Sequence, residues 1–146
     1  MRIIIDAMGG DNAPDEIVLG ALRAAKEYGT EIVLVGRGED ILRGMKANGL
    51  DNLPQGVEIA NAEDMVDMHV DPNQVVQQHR NSSMVMGLKM LADGSGDAFI
   101  SAGNTGALLT AATLLVKRIR GIRRAAMAPV IPTTTGSAVL IDCGAN

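Results

Sequence analysis

The feature that most restricts the fold of this chain is the regular alternation of short aliphatic runs with amphipathic stretches. Arg2 to Asp6 opens with Ile3, Ile4 and Ile5, three consecutive β-branched residues that suit a strand buried on both faces. An amphipathic stripe of Ile17, Val18, Ala21, Leu22 and Ala25 follows, with Pro14 in its first turn and Gly29 at its end. A second aliphatic run, Glu31 to Val35, leads into a short helix over 39–46 with Ile41, Leu42 and Met45 inward. Repetition of this unit predicts α/β architecture with a mostly parallel sheet.

The rest of the chain continues the pattern less evenly. Val57 to Ala60 reads as a short strand, 61–72 as loop, and the stretch to Asn81 as a partly exposed helix. Ser82 is a candidate N-cap for a helix carrying Val85, Leu88, Leu91 and Ala92, which Asp93 to Gly96 ends. Asp97 to Ser101 is a strand, and 108–119 a helix with Leu108, Leu109, Ala112, Leu115 and Ile119 inward. Ala125 to Val130 and Ser137 to Asp142 are two further strand candidates. At 146 residues, the chain holds one core and no second domain.

Three strands end alike. Ile3 to Ile5 runs into Asp6, Gly9, Gly10, Asp11 and Asn12; Ala98 to Ile100 into Ser101, Gly103, Asn104, Thr105 and Gly106; Val139 to Ile141 into Asp142, Gly144 and Asn146. In a parallel sheet these ends share one edge, where α/β proteins place ligands. Glycines there allow close backbone approach, and Asn, Ser and Thr offer neutral hydrogen bonds. The turn Ser101 to Gly106, lying between a strand and a helix, is the best candidate anion site, because free N–H groups at a helix start face negative charge. An ordinary N-cap with glycines chosen for packing is the competing reading of the same turn.

Other chemistry is poorly supported. A formal net charge of -4 and a single aromatic pair, Tyr28 and Phe99, argue against a general nucleic-acid surface. No Walker A pattern is present, and Gly36-x-Gly38 lacks the third glycine of a dinucleotide fingerprint. His69 and His79 sit in no metal-ligand spacing, and Cys143 has no evident base beside it. Asp6 is expected to accept N–H bonds from its own turn. Asp11 could orient a substrate, with a turn-forming role the alternative. His79 and Arg80, ahead of Ser82 and Ser83, could stand at the mouth of a pocket. Lys117, Arg118, Arg120, Arg123 and Arg124 form the one concentrated basic stretch, suited either to a helix end or to an acidic partner.

Four segments in order, 6–14, 82–84, 101–108 and 142–146, closely resemble bacterial phosphate acyltransferases, the acyl-carrier-protein:phosphate acyltransferases of phospholipid synthesis. The resemblance extends over essentially the whole chain and implies a three-layer fold like that of phosphotransacetylases and isocitrate dehydrogenases. It also implies a reaction in which inorganic phosphate attacks the thioester of an acyl-[acyl carrier protein]. The family forms homodimers, uses no nucleotide or metal cofactor, and is cytoplasmic with peripheral membrane association. On this resemblance Asp11, Asn104 and Asn146 become candidate catalytic residues, and Ser101, Gly103, Asn104, Thr105 and Gly106 the phosphate contacts. Asp6, Gly9, Gly10, Asn12, His79, Arg80, Ser82, Ser83 and Asp142 would shape the pocket, and the 117–124 stretch would meet the carrier protein. Between Pro72 and Ser82 the chain departs from typical members, which carry several basic residues there; Gln77, Gln78, His79, Arg80 and Asn81 stand instead. The chain is expected to be the amino-terminal portion of a longer protein, inactive by itself and exposing apolar surface. A dehydrogenase-like enzyme and a non-catalytic module for a phosphorylated ligand are the alternatives.

Overall fold

A computed structural model describes residues 1–141 and Cys143. Its centre is a four-stranded parallel sheet of β1 (Arg2–Asp6), β2 (Glu31–Gly36), β3 (Val57–Asn61) and β4 (Ala98–Ile100), in the order β3-β2-β1-β4. Ile3 lies opposite Ile32 on one side and Ala98 on the other, so β1 is hydrogen-bonded along both edges. Helices α1 (Asp15–Tyr28) and α2 (Gly38–Ala47) cover one face. Helix α4 (Ser83–Ala92) covers the other, and α5 (Thr105–Leu115) packs against it, with a 3-10 turn (Pro72–Gln74) and the one-turn α3 (Val75–Gln78) beside them.

The alternation of the strands decides which residue feeds which layer. Ile5, Ile32 and Leu34 pack with Val18, Leu22, Ile41 and Met45 beneath α1 and α2. Ile4, Val33 and Val35 point the other way, toward α4. Both faces of β1 and β2 are therefore apolar, which is why their sequences read as runs and not as alternations. Gly29 ends α1 in the left-handed region at φ 60°, and its N–H bonds the carbonyl of Ala25.

Chain order sets the position of the ligand edge. The crossovers β1 to β2 and β2 to β3 step in one direction over α1 and α2. The connection from β3 to β4 steps back past β1, and its helix α4 lies on the opposite face. Right-handed crossovers require that change of face when the direction reverses. The reversal makes the carboxyl ends of β1 and β4 the switch point, and the loops 7–14 and 101–104 leave from it side by side.

Several expected elements differ. Pro14 caps α1 and does not enter its first turn. Leu42 is largely exposed, while Ile41, Gly44 and Met45 carry the buried face of α2. The helix expected over 108–119 starts three residues earlier and ends at Leu115. Lys117 has φ 72° and Ile119 is 81% exposed, so the basic stretch follows the helix and does not lie on it. The segment before Ser82 forms two single turns where one helix was expected. Of the strand candidates near the end, 125–130 is strand only at Val130; the chain instead forms an antiparallel hairpin of β5 (Val130–Thr133) and β6 (Gly136–Val139), separate from the main sheet. The strand expected to lead into the third loop therefore does not join the parallel sheet. Asp142 and Asn146 lie outside the described residues.

α4 lies close on β4 because Gly87 presents no side chain to it; a Cβ there would overlap the Phe99 ring and sit 3.3 Å from Ile4 Cγ2. Gly87→Ala, although it raises helix propensity, is predicted to destabilise the protein by about 1–3 kcal/mol through overpacking. Urea unfolding monitored by far-UV circular dichroism measures it.

Candidate functional site at the switch point

The site is built where β1 and β4 end. Asp6, the last residue of β1, is 2% exposed. Its Oδ1 accepts the Met8 N–H at 3.1 Å, and its Oδ2 accepts the Ser101 hydroxyl at 2.7 Å. Ser101 Oγ accepts in turn the Gly103 N–H at 3.1 Å. One side chain from the first loop thus fixes the second, across 95 residues of sequence.

Glycines make this approach possible. A Cβ on Gly9 would fall 2.5 Å from Asp6 Oδ2 and 2.9 Å from Ser101 Oγ, inside both van der Waals surfaces. Gly10, at φ 118°, adopts a backbone conformation that other residues avoid, and packs against Ala102. A Cβ on Gly103 would meet the Gly9 backbone at 3.3 Å and Met84 Cε at 3.4 Å. The two loops pack backbone on backbone, so a ligand can approach along their shared rim. Asp11 and Asn12 stand exposed on that loop, and the Asn12 carbonyl accepts the Glu16 N–H at 3.2 Å.

The Asn104 side chain, a candidate substrate contact, is engaged within the protein. It is 8% exposed, and its Oδ1 caps α5 by accepting the Ala107 N–H at 3.0 Å. Its Nδ2 donates toward the carbonyls of Met68 at 3.0 Å, Val70 at 3.3 Å and Asp67 at 3.4 Å. Both ends of the amide are committed inside the protein, so Asn104 positions the turn and moors the loop 67–70 to it. Thr105 and Gly106 begin α5, where an N–H has no carbonyl four residues earlier within the helix. These amides, at the positive end of the helix, are the groups suited to an anion. Gly106 is also a packing position, since a Cβ there would meet Pro72 Cγ at 2.9 Å.

The α4 amino terminus reaches the same edge. Ser82 is buried and caps α4 through the Val85 N–H at 3.3 Å. Ser83 is buried beside it, with its N–H on the Asp64 carbonyl at 3.0 Å and its hydroxyl without a partner among the described residues. His79 Nδ1 lies 2.8 Å from Asp64 Oδ2, tying the end of α3 to the segment after β3. Arg80 is exposed, and its carbonyl accepts from Lys89 Nζ at 3.2 Å. Ser82 thus takes the capping role expected of it, and His79 is tied to Asp64 beside it. Gly36 is likewise a packing glycine: a Cβ would sit 2.8 Å from the Met8 side chain.

The basic stretch stands apart from this edge. Arg118, Arg123 and Arg124 line an open cavity of about 470 Å³ with Asn73, Thr110 and Thr113. Arg118 also donates to the Arg123 carbonyl. A second, more apolar hollow of about 690 Å³ runs between α4, β4, α5 and the segment that follows α5, lined by Leu88, Phe99, Leu108, Val116 and Ile122 among others. Sequence reading missed that hollow, because its walls come from segments whose partners the periodicity did not specify. Among the described residues, no group of three or more His, Cys, Asp or Glu side chains could hold a metal ion.

Fold and site together define an α/β protein with a glycine-built ligand edge at a topological switch point. The structure resembles a phosphotransacetylase from Streptococcus pyogenes, with a TM-score of 0.69 at 19% identity, over all of this chain and 47% of that one. A EutD phosphotransacetylase from Staphylococcus aureus gives 0.66 at 14% identity, with the same coverage. The sequence belongs to the family described as fatty acid synthesis protein, whose model matches residues 1–146. Curated relatives carry the name phosphate acyltransferase. The one from Thermotoga maritima is 46% identical over 146 residues, and the one from Thermoanaerobacter pseudethanolicus 44% over 147. This chain spans 41–42% of their length.

The Asn104 amide predicts a measurable loss. Asn104→Ala removes the cap and three carbonyl partners, and should destabilise the protein by about 2–3 kcal/mol. Asn104→Asp retains the cap but sets a carboxylate against the carbonyls of 67–70. Thermal unfolding should place both below the parent, and protease cleavage within 67–70 should accelerate in each.

Proposed function

We propose that this chain supplies the phosphate-binding part of a phosphate acyltransferase. The observation that carries the reading is the paired glycine turn at the switch point, where the first amides of α5 stand beside the Asp6–Ser101 bond. Membership of a family whose curated relatives bear the name phosphate acyltransferase supports it. In the proposed reaction an oxygen of inorganic phosphate attacks the carbonyl carbon of an acyl thioester. The carbonyl π bond opens to an oxyanion, which collapses as the C–S bond breaks; the proton released from hydrogen phosphate passes to the departing sulfur, giving acyl phosphate and a thiol. The donor is acyl-[acyl carrier protein], and the product enters phospholipid synthesis.

The chemistry asks little of covalent catalysis. Phosphate is already a competent nucleophile, so the protein's work is alignment and stabilisation of negative charge. Backbone N–H groups at Thr105 and Gly106 suit that work, since they point at an anion without a mobile side chain. Asp11, exposed on the facing loop, is the candidate for orienting the donor or taking a proton. Carrier protein, being acidic, would dock on Lys117, Arg118, Arg120, Arg123 and Arg124, all of them exposed. The working enzyme is proposed to be a cytoplasmic homodimer that associates peripherally with the membrane. No helix among the described residues is long and apolar enough to cross one.

Two outcomes test this in the complete enzyme. Gly103→Val should raise the apparent KM for phosphate by at least about tenfold, with that for the acyl donor little changed. Equal effects on both substrates would place phosphate elsewhere. Arg123→Glu with Arg124→Glu should lower kcat/KM for acyl-carrier protein by about tenfold or more at low salt, and leave transfer from a small acyl thioester near the parent value.

A further inference from the structure

The proposed reaction makes no use of a hydrogen-bond chain that the switch point contains: Met8 N–H to Asp6 Oδ1, Ser101 hydroxyl to Asp6 Oδ2, and Gly103 N–H to Ser101 Oγ. A serine hydroxyl has one hydrogen and two lone pairs. Here the hydrogen is given to Asp6 and one lone pair to Gly103. Nothing remains on Ser101 to donate, whereas an anion such as phosphate needs donors. In this arrangement the Ser101 hydroxyl has no hydrogen left to donate to an anion.

The direction of the chain has a consequence for the next residues. Gly103 immediately precedes the cap Asn104, and the first amides of α5, those of Thr105 and Gly106, follow without an intrahelical carbonyl to bond. The position of the Gly103 N–H sets the angle at which the chain enters α5. Gly9 packs directly over the Asp6–Ser101 bond, as the 2.5 Å and 2.9 Å approaches of its missing Cβ show. The pair is thus covered by backbone, and Asp6 keeps its carboxylate buried close to the place where an anion would bind. Such an arrangement costs electrostatic energy in any anion complex, so it must contribute geometry in return.

We propose that Asp6 and Ser101 are positioning residues that act as one unit: Asp6 holds the Ser101 proton, Ser101 then accepts from Gly103, and the turn so fixed aims the Thr105 and Gly106 amides at phosphate. Neither side chain touches the phosphate. The inference rests on the reading that phosphate binds at this turn.

The test is titration of the 15N-labelled protein with inorganic phosphate, following the amide resonances of residues 9–10 and 103–106. In the parent, Thr105 and Gly106 should shift saturably. Ser101→Ala should weaken phosphate binding by at least about tenfold and speed hydrogen exchange at Gly103, while Ser101→Thr, which keeps the hydroxyl, should bind within about threefold of the parent. Asp6→Asn is the decisive variant. Removing a negative charge favours an anion, and freeing the Ser101 proton would favour it further if Ser101 bound phosphate directly. The proposal requires the opposite, weaker binding, because the turn is released. Tighter binding by Asp6→Asn, or parent-like binding by Ser101→Ala, would overturn it. Should Asp6→Asn lose its dispersed spectrum, the alanine and threonine variants at 101 decide the matter alone. No saturable shift in the parent would remove the phosphate site itself and the proposal with it.

Discussion

The Asp6–Ser101 hydrogen bond is the interaction on which the arrangement of this edge depends. It joins the first strand to the fourth after the chain has built three βα units between them, with the Asp6 carboxylate buried. A buried carboxylate without a cationic partner is costly unless its oxygens are hydrogen-bonded. Here both oxygens are occupied by donors from the two loops, so the need to satisfy the charge pulls the loops together. Glycine at 9, 10 and 103 allows that closeness, and any side chain at 9 would occupy the space of the bond.

A second layer of support comes through Asn104. Its amide serves the helix on one side and the carbonyls of 67–70 on the other, so the start of α5 and the loop after β3 move as one body. The loop carbonyls of Met68 and Val70 find a donor in this single side chain, and that of Asp67, which also accepts the Val70 N–H, lies within its reach. Ser82 performs the parallel task at α4, and the His79–Asp64 pair secures the segment leading into it. Two helix amino termini are thus brought to the same edge by capping side chains, and their dipoles favour negative charge there.

Much of the framework was legible because it follows from local periodicity. The isoleucine run of β1, the Val18, Leu22 and Ala25 stripe of α1, the Gly29 stop and the Ser82 cap each depend on near neighbours and stand within a residue or two of expectation. The glycine turns were legible as ligand-edge loops for the same reason. What periodicity could not supply was partnership across the chain. Ile119 has the right spacing for the buried face of α5, yet Lys117 turns the chain before it and the side chain is exposed. The run 137–142 has strand composition, which does not specify a neighbour, and β6 pairs with β5 in place of the main sheet. Asn104 looked like a substrate contact because an exposed amide and a committed one have identical sequences; only the carbonyls 34–37 positions away distinguish them.

Two regions of this molecule could attract phosphate: the amide-lined start of α5, which has geometry, and the cavity of Arg118, Arg123 and Arg124, which has charge. A crystal structure of the protein grown with inorganic phosphate distinguishes them directly. The account predicts phosphate oxygens within hydrogen-bond distance of the Thr105 and Gly106 amides, with the Asp6–Ser101 bond intact beside them. Phosphate held among the three arginines, with the glycine turn bearing none, would contradict it.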